Sequence, residues 1–129
     1  MTKRRQKGDA KHVRLYNGMM ASEAWRALSG NAVKLLVYVA SYEGPTQPNG
    51  SIYCSARHGA AGIGVNKRTA LKAFQELQEK GFLRSTAKGH FLVKGGPATA
   101  WRLTWLAWPG VMSATKDYEN WTPEKNKTR

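Results

Sequence analysis

Acidic residues are scarce in this chain: 8 Asp and Glu stand against 21 Lys and Arg in 129 residues. General acid–base chemistry has little to draw on, since most of those acids fall on helix surfaces or near the C-terminus. Cysteine is scarcer still. Cys54 stands alone, so no internal disulfide can form, which fits a reducing, cytoplasmic setting. The histidines His12, His58 and His90 are dispersed and, with one cysteine, offer no metal-ligand spacing. Long apolar runs are missing too. Ala32 to Ala40 is the longest, is interrupted by Lys34, and falls far short of the ~20 residues that span a bilayer. No apolar run follows the basic N-terminus, as a secretory signal would require. There is no glycine-rich phosphate loop, nucleophile elbow or paired acidic motif. These absences point away from an enzyme, a bound cofactor and a membrane partner.

What remains is a large surplus of positive charge, +13 at neutral pH. Self-repulsion makes such a surplus a cost to the compact state, so its use lies in a polyanionic partner, with nucleic acid foremost. Residues 1–12 read as a disordered basic arm, 13–108 as one domain, and 109–129 as a polar C-terminal tail with Tyr118 and Trp121 as docking points. Within the domain, Val13 to Tyr16 suggests a short extended segment. Ser22 opens a short helix carrying Trp25 and Leu28. From Asn31, Ala32, Leu35, Leu36, Val39 and Ala40 recur at helical spacing, and Gly44-Pro45 ends that helix. Ser51 to Cys54 is a short strand, and Ser55 caps a helix to about Ala61. Gly62 to Val65 makes a tight connection. The longest helix runs from about Asn66 to Lys80, with Ala70, Leu71, Ala73, Phe74 and Leu77 as its apolar stripe and Gly81 as its stop. Phe82 to Thr86, His90 to Lys94 and Thr99 to Leu106 then alternate as strands. In the last, Trp101, Leu103 and Trp105 take one face and Arg102, Thr104 and Leu106 the other. Trp25, Trp101 and Trp105 read as core rather than as stacking platforms for bases.

A short helix, a glycine-containing turn and a longer helix make a helix-turn-helix, and the flanking strands supply a small sheet. The expected fold is α+β: a winged helix-turn-helix of three to four helices with a small antiparallel sheet and wing. The residues from Gly62-Ile63-Gly64-Val65-Asn66-Lys67-Arg68-Thr69 to Glu79-Lys80-Gly81-Phe82-Leu83 resemble the second half of a bacterial winged helix-turn-helix. That pattern is shared by GntR-type and MarR-type regulators and by the winged domains of phage and plasmid replication initiators. The segments Trp25 to Ser29, Ala32 to Leu36 and Trp101 to Trp105 are similar to a group of small proteobacterial helix-turn-helix proteins often found near mobile elements. The resemblance departs at two points: Asn66 stands where Ser is common, and Gly59 sits inside a very short helix.

The resemblance implies a nucleoid-associated, double-stranded DNA-binding protein, foremost a transcription regulator with no separate effector domain and no evident small-molecule effector. A replication or excision accessory factor and an RNA- or ribosome-associated winged domain are the alternatives. Many members of these groups dimerise, yet no long terminal coiled-coil helix is visible, so a homodimer stays open.

With the apolar stripe buried, the long helix turns Arg68, Lys72, Gln75, Glu76 and Glu79 outward. Its cations come first and its acids last, against the preference of the helix dipole. Recognition helices read bases from their N-terminal turns, with Arg pairing to guanine and Gln or Asn to adenine. Arg68, Lys72 and Gln75 are therefore expected readers, Asn66 a cap, and Lys67 and Thr69 phosphate contacts. The wing would bring Arg84, Lys88, His90 and Lys94 to the backbone, with its tip at either Ala87-Lys88-Gly89 or Gly95-Gly96-Pro97. Lys3, Arg4, Arg5, Lys7 and Lys11 would serve as a minor-groove arm or as an electrostatic anchor.

Overall fold

Four residues start four helices. The computed structural model describes residues 11–87 and 100–124. In it the side chain of Ser22 accepts from the Trp25 amide, Ser29 from Ala32, Ser55 from His58, and Asn66 from Thr69. Each satisfies one otherwise orphaned amide of a first turn, worth about 1 kcal/mol. The helices they open are α2 (Glu23–Arg26), α3 (Gly30–Ala40), α4 (Ala56–Ile63) and α5 (Lys67–Glu79). An additional turn of helix, α1 (Asn17–Met20), precedes them and buries Met19. Val13 to Tyr16 forms no regular element, although Val13 and Leu15 pack against the core.

The strands are β1 (Ile52–Tyr53), β2 (Leu83–Ala87) and β3 (Ala100–Leu103), in spatial order β1-β3-β2 and antiparallel throughout. Helix α3, β1, the α4–α5 pair and the β2–β3 ladder follow one another as in a winged helix-turn-helix, and the fold is α+β. The expected strand at His90 to Lys94 and both expected wing tips, apart from Ala87 itself, lie outside the described residues.

The two ends of α4–α5 show why the chain turns where it does. At Gly64 the backbone has φ +76°, and Gly64 and Val65 both donate to the Ala60 carbonyl. That left-handed residue closes α4 and lets Asn66 open α5 two positions later. At the other end, Phe82 N donates to Leu77 O and Gly81 N to Gln78 O, with Gly81 at φ +86°. This is the paired bonding of a Schellman cap, and it sends the chain directly into β2. Gly59, which weakens α4 by propensity, is needed for close packing. A Cβ there would lie 2.9 Å from Leu35 and 3.2 Å from Phe74.

The core joins Leu35, Leu36 and Val39 of α3 to Phe74 and Leu77 of α5, and to Trp101 and Leu103 of β3. Phe74 stacks on Trp101 at 4.9 Å with the rings 5° from parallel. One stripe residue falls outside this core. Leu71, expected among the buried positions, is 47% exposed. The stripe that is buried is Ala70, Ala73, Phe74 and Leu77, and Leu71 lies beyond its edge.

The C-terminal segment docks. Tyr118, in a short 3-10 helix (Asp117–Asn120), stacks on Phe82 at 5.1 Å. Thr115 and Lys116 donate to the Thr104 carbonyl. This cover buries Arg102 and Thr104, on the strand face that alternation alone assigns to the polar side. It also resolves a charge conflict. Arg84 and Arg102 are direct cross-strand partners, a repulsive pairing. Asp117 comes between them, accepting from Arg84 Nε at 2.7 Å, while Arg102 donates to Thr115.

Burial acts to raise the Asp117 pKa. Hydrogen bonds from Thr115 and Arg84, with the charges of Arg84 and Arg102, outweigh it and hold the pKa below its ordinary 3.8. A lowered carboxylate stabilises the fold above the unfolded pKa and loses that contribution as pH falls through the folded one. Asp117→Asn is expected to cost about 1 kcal/mol at neutral pH, after allowance for screening at the partly exposed Arg84. Thermal melts from pH 7 to pH 2 would show the difference from the parent shrinking toward acid. A constant difference would show that the carboxylate charge is not what matters.

Among the described residues, no helix is long and apolar enough to cross a membrane.

Candidate nucleic-acid interface

Four cations, exposed Lys34, half-buried Lys80 and Arg84, and buried Arg102, have structural partners. Lys34 Nζ donates to the Ile63 carbonyl at the C-terminal end of α4, where a cation suits the helix dipole. Lys80 lies over the Trp121 ring and Arg102 beside Trp108. Arg84, expected on the wing's backbone-contacting edge, is instead engaged by Asp117 and by the Gln78 carbonyl, to which its Nη1 donates at 2.7 Å. Its guanidinium is committed to joining β2, α5 and the C-terminal segment.

Exposed cations without such a partner among the described residues include Arg14, Arg26, Arg57, Lys116 and a cluster on α5. Lys67, Arg68 and Lys72 are exposed on α5. Among the described residues they have neither an acid nor a hydrogen-bonding side chain as partner. Gln75 is exposed one turn beyond, and Thr69 is half-buried. Asn66 acts as the cap, its Oδ1 accepting from Thr69 N at 2.8 Å. The first turn of α5 contains no acid, so its side-chain cations add to the positive end of the helix dipole. Among the described residues no acid relieves that accumulation of like charge.

The acids that follow on α5 are not equivalent. Glu76 reaches across to α3, accepting from Ser29 N at 2.6 Å and from Ser29 Oγ at 2.8 Å. It thus performs from a neighbouring helix the task that a capping-box Glu performs within one. Withdrawn in this way, Glu76 does not pair with Lys72 one turn earlier. Only Glu79 remains as an exposed acid at the far end of the strip.

Arg57 was not among the expected contacts. It is exposed in the first turn of α4, beside His58. The signal for it is an absence: no acid occurs in the sequence between Glu43 and Glu76, nor between Glu79 and Asp117. These two acid-free stretches contain α4, the cationic turns of α5 and the whole β2–β3 connection. His58 belongs to an aromatic clamp, its Nε2 lying 3.4 Å from the Tyr42 hydroxyl, which in turn is 3.0 Å from that of Tyr38. The bond to Tyr42, aided by burial, pushes the Tyr38 pKa up to about 12, and the contacts among Tyr38, Tyr42 and His58 tie α3 to α4.

The wing residues Lys88, His90 and Lys94 and the arm residues Lys3, Arg4, Arg5 and Lys7 lie outside the described residues. Lys11 is exposed at their border. Cys54 is buried, and burial pushes its thiol up to about 11, away from thiolate chemistry. Among the described residues no group of His, Cys, Asp and Glu is placed to hold a metal ion. In comparisons with protein-family models, curated proteins and solved structures, the chain matches none.

Proposed function

We propose that this protein binds double-stranded DNA in a sequence-specific manner through the N-terminal turns of α5, and acts as a bacterial transcription regulator. The observation that carries the reading is the cationic strip of Lys67, Arg68 and Lys72, without an acid partner among the described residues and extended by Gln75. It stands on the second helix of a helix-turn-helix whose nearest acid is held by another helix. A solvated structural helix has no use for that arrangement. A helix laid in the major groove uses all of it: Arg for guanine, Gln for adenine, and flanking cations for phosphates. Lys88 and Lys94 serve as backbone anchors in this reading, and the basic arm adds to them.

Competition binding separates reading from anchoring. Arg68→Ala is expected to cost about 1–3 kcal/mol on a site selected from a random duplex pool, and much less on scrambled duplex. Lys88→Ala and Lys94→Ala are expected to weaken both by the same factor. If Arg68→Ala lowers both affinities equally, Arg68 is an anchor. Equal or tighter binding of the parent to structured RNA would overturn the DNA reading.

A further inference from the structure

Leu71 is the one large apolar side chain exposed on α5. It lies among polar neighbours, with Lys67 and Arg68 one turn before it, Lys72 adjacent and Gln75 one turn after. The core does not claim it, since it is absent from the residues packed there. A single exposed leucine on an ordinary surface means nothing. Its position between two expected base-reading side chains gives it meaning, because a helix seated in the major groove presses that position against base edges.

The floor of the major groove offers mainly hydrogen-bonding groups. Guanine presents N7 and O6, adenine N7 and an amino group, and cytosine an amino group; only thymine presents a methyl. Against the first three, a leucine covers a donor or acceptor and returns no hydrogen bond, which is unfavourable. Against thymine it buries a methyl group from water. We infer that Leu71 is a specificity-determining residue that recognises the 5-methyl group of a thymine, at a base pair between those read by Arg68 and Gln75. The inference rests on the proposed binding of duplex DNA and goes beyond it by naming one base and the atom that is read.

The test replaces thymine by deoxyuridine, which deletes that methyl and nothing else. Sites are first enriched from a random duplex pool with the full chain, and each thymine is then substituted in turn. One substitution is expected to weaken the parent roughly fourfold, the worth of one buried methyl. Leu71→Ala is expected to bind the thymine site more weakly by at least that factor, and to bind thymine and deoxyuridine equally at that position. Its melting temperature should match the parent, because the side chain is outside the core. The inference is overturned if no deoxyuridine substitution weakens the parent, or if Leu71→Ala still discriminates. It is also overturned if Leu71→Ala changes the oligomeric state in sedimentation, which would make the leucine a protein contact. Failure to enrich any duplex sequence is a different result, and it overturns the DNA-binding reading itself.

Discussion

Phe74→Ala is expected to remove about 3–5 kcal/mol of folding stability, the usual cost of emptying a buried aromatic site. Small domains hold about 5–15 kcal/mol in total, so the variant would be marginal or unfolded. Its burial and two contacts put the effect at the upper end. Phe74 is 4% exposed, its ring stacks on Trp101 of β3, and its edge abuts Gly59 of α4. It therefore joins both helices of the helix-turn-helix to the sheet. Collapse cannot fill the space easily, because the α4 neighbour has no side chain and the Trp101 ring is fixed by its Nε1 donating to the Cys54 carbonyl at 2.9 Å. For a domain of this size, each kcal/mol moves the midpoint by roughly 4–8 °C. A fall of at least about 12 °C in Tm, followed by circular dichroism, is the expected result. A fall below about 5 °C would show that the ring is not a keystone of the three-element junction. Arg68→Ala on the same helix is expected to leave the midpoint unchanged, which makes the pair a control for reading binding losses as contact losses.

The starts of the helices were legible because capping is local chemistry. Ser22, Ser55 and Asn66 are all read from the sequence as openings, and Ser29 opens α3 by the same local chemistry. Each finds its amide within three residues. Elements joined by distant partners were not legible. Pro48-Asn49-Gly50 reads as a turn, yet Asn49 is buried and fastens the end of β3. Its Nδ2 donates to the carbonyls of Leu103, Leu106 and Ala107, and its Oδ1 accepts from Leu103 N at 2.6 Å. Arg84 reads as a free wing cation because Asp117 lies far along the chain. Leu71 shows the limit of periodicity. Its neighbours Ala70 and Phe74 are buried, but one step around the helix from the stripe's centre is enough to reach solvent. Of the strip, Arg68, Lys72 and Gln75 were readable from helical phase alone. Its isolation from acids was not, because that depends on Glu76 choosing Ser29 over Lys72.

That isolation makes salt dependence the largest binding effect to expect. A cation already paired within the protein releases few counterions from DNA, whereas an unpaired one replaces a condensed ion at each phosphate it meets. Arg57, Lys67, Arg68 and Lys72 are exposed on the helix-turn-helix without acid partners among the described residues. With Lys88, Lys94 and the arm cations, a duplex contact would neutralise roughly five to eight phosphates, giving log affinity against log salt a slope of about −5 to −7. Between 50 and 200 mM NaCl, affinity should fall by about 10³- to 10⁴-fold. Fluorescence anisotropy with a labelled duplex would measure it. Deleting residues 1–11 removes Lys3, Arg4, Arg5, Lys7 and Lys11 and should make the slope shallower on specific and random duplex alike. Lys88→Ala should reduce it by about one unit. Arg84→Ala should leave it unchanged, since that guanidinium is held by Asp117 and Gln78. A slope near zero would overturn the electrostatic basis of the proposed function. A steep slope that Arg84→Ala flattens would instead return Arg84 to the DNA, at the expense of the ion pair that now relieves Arg102.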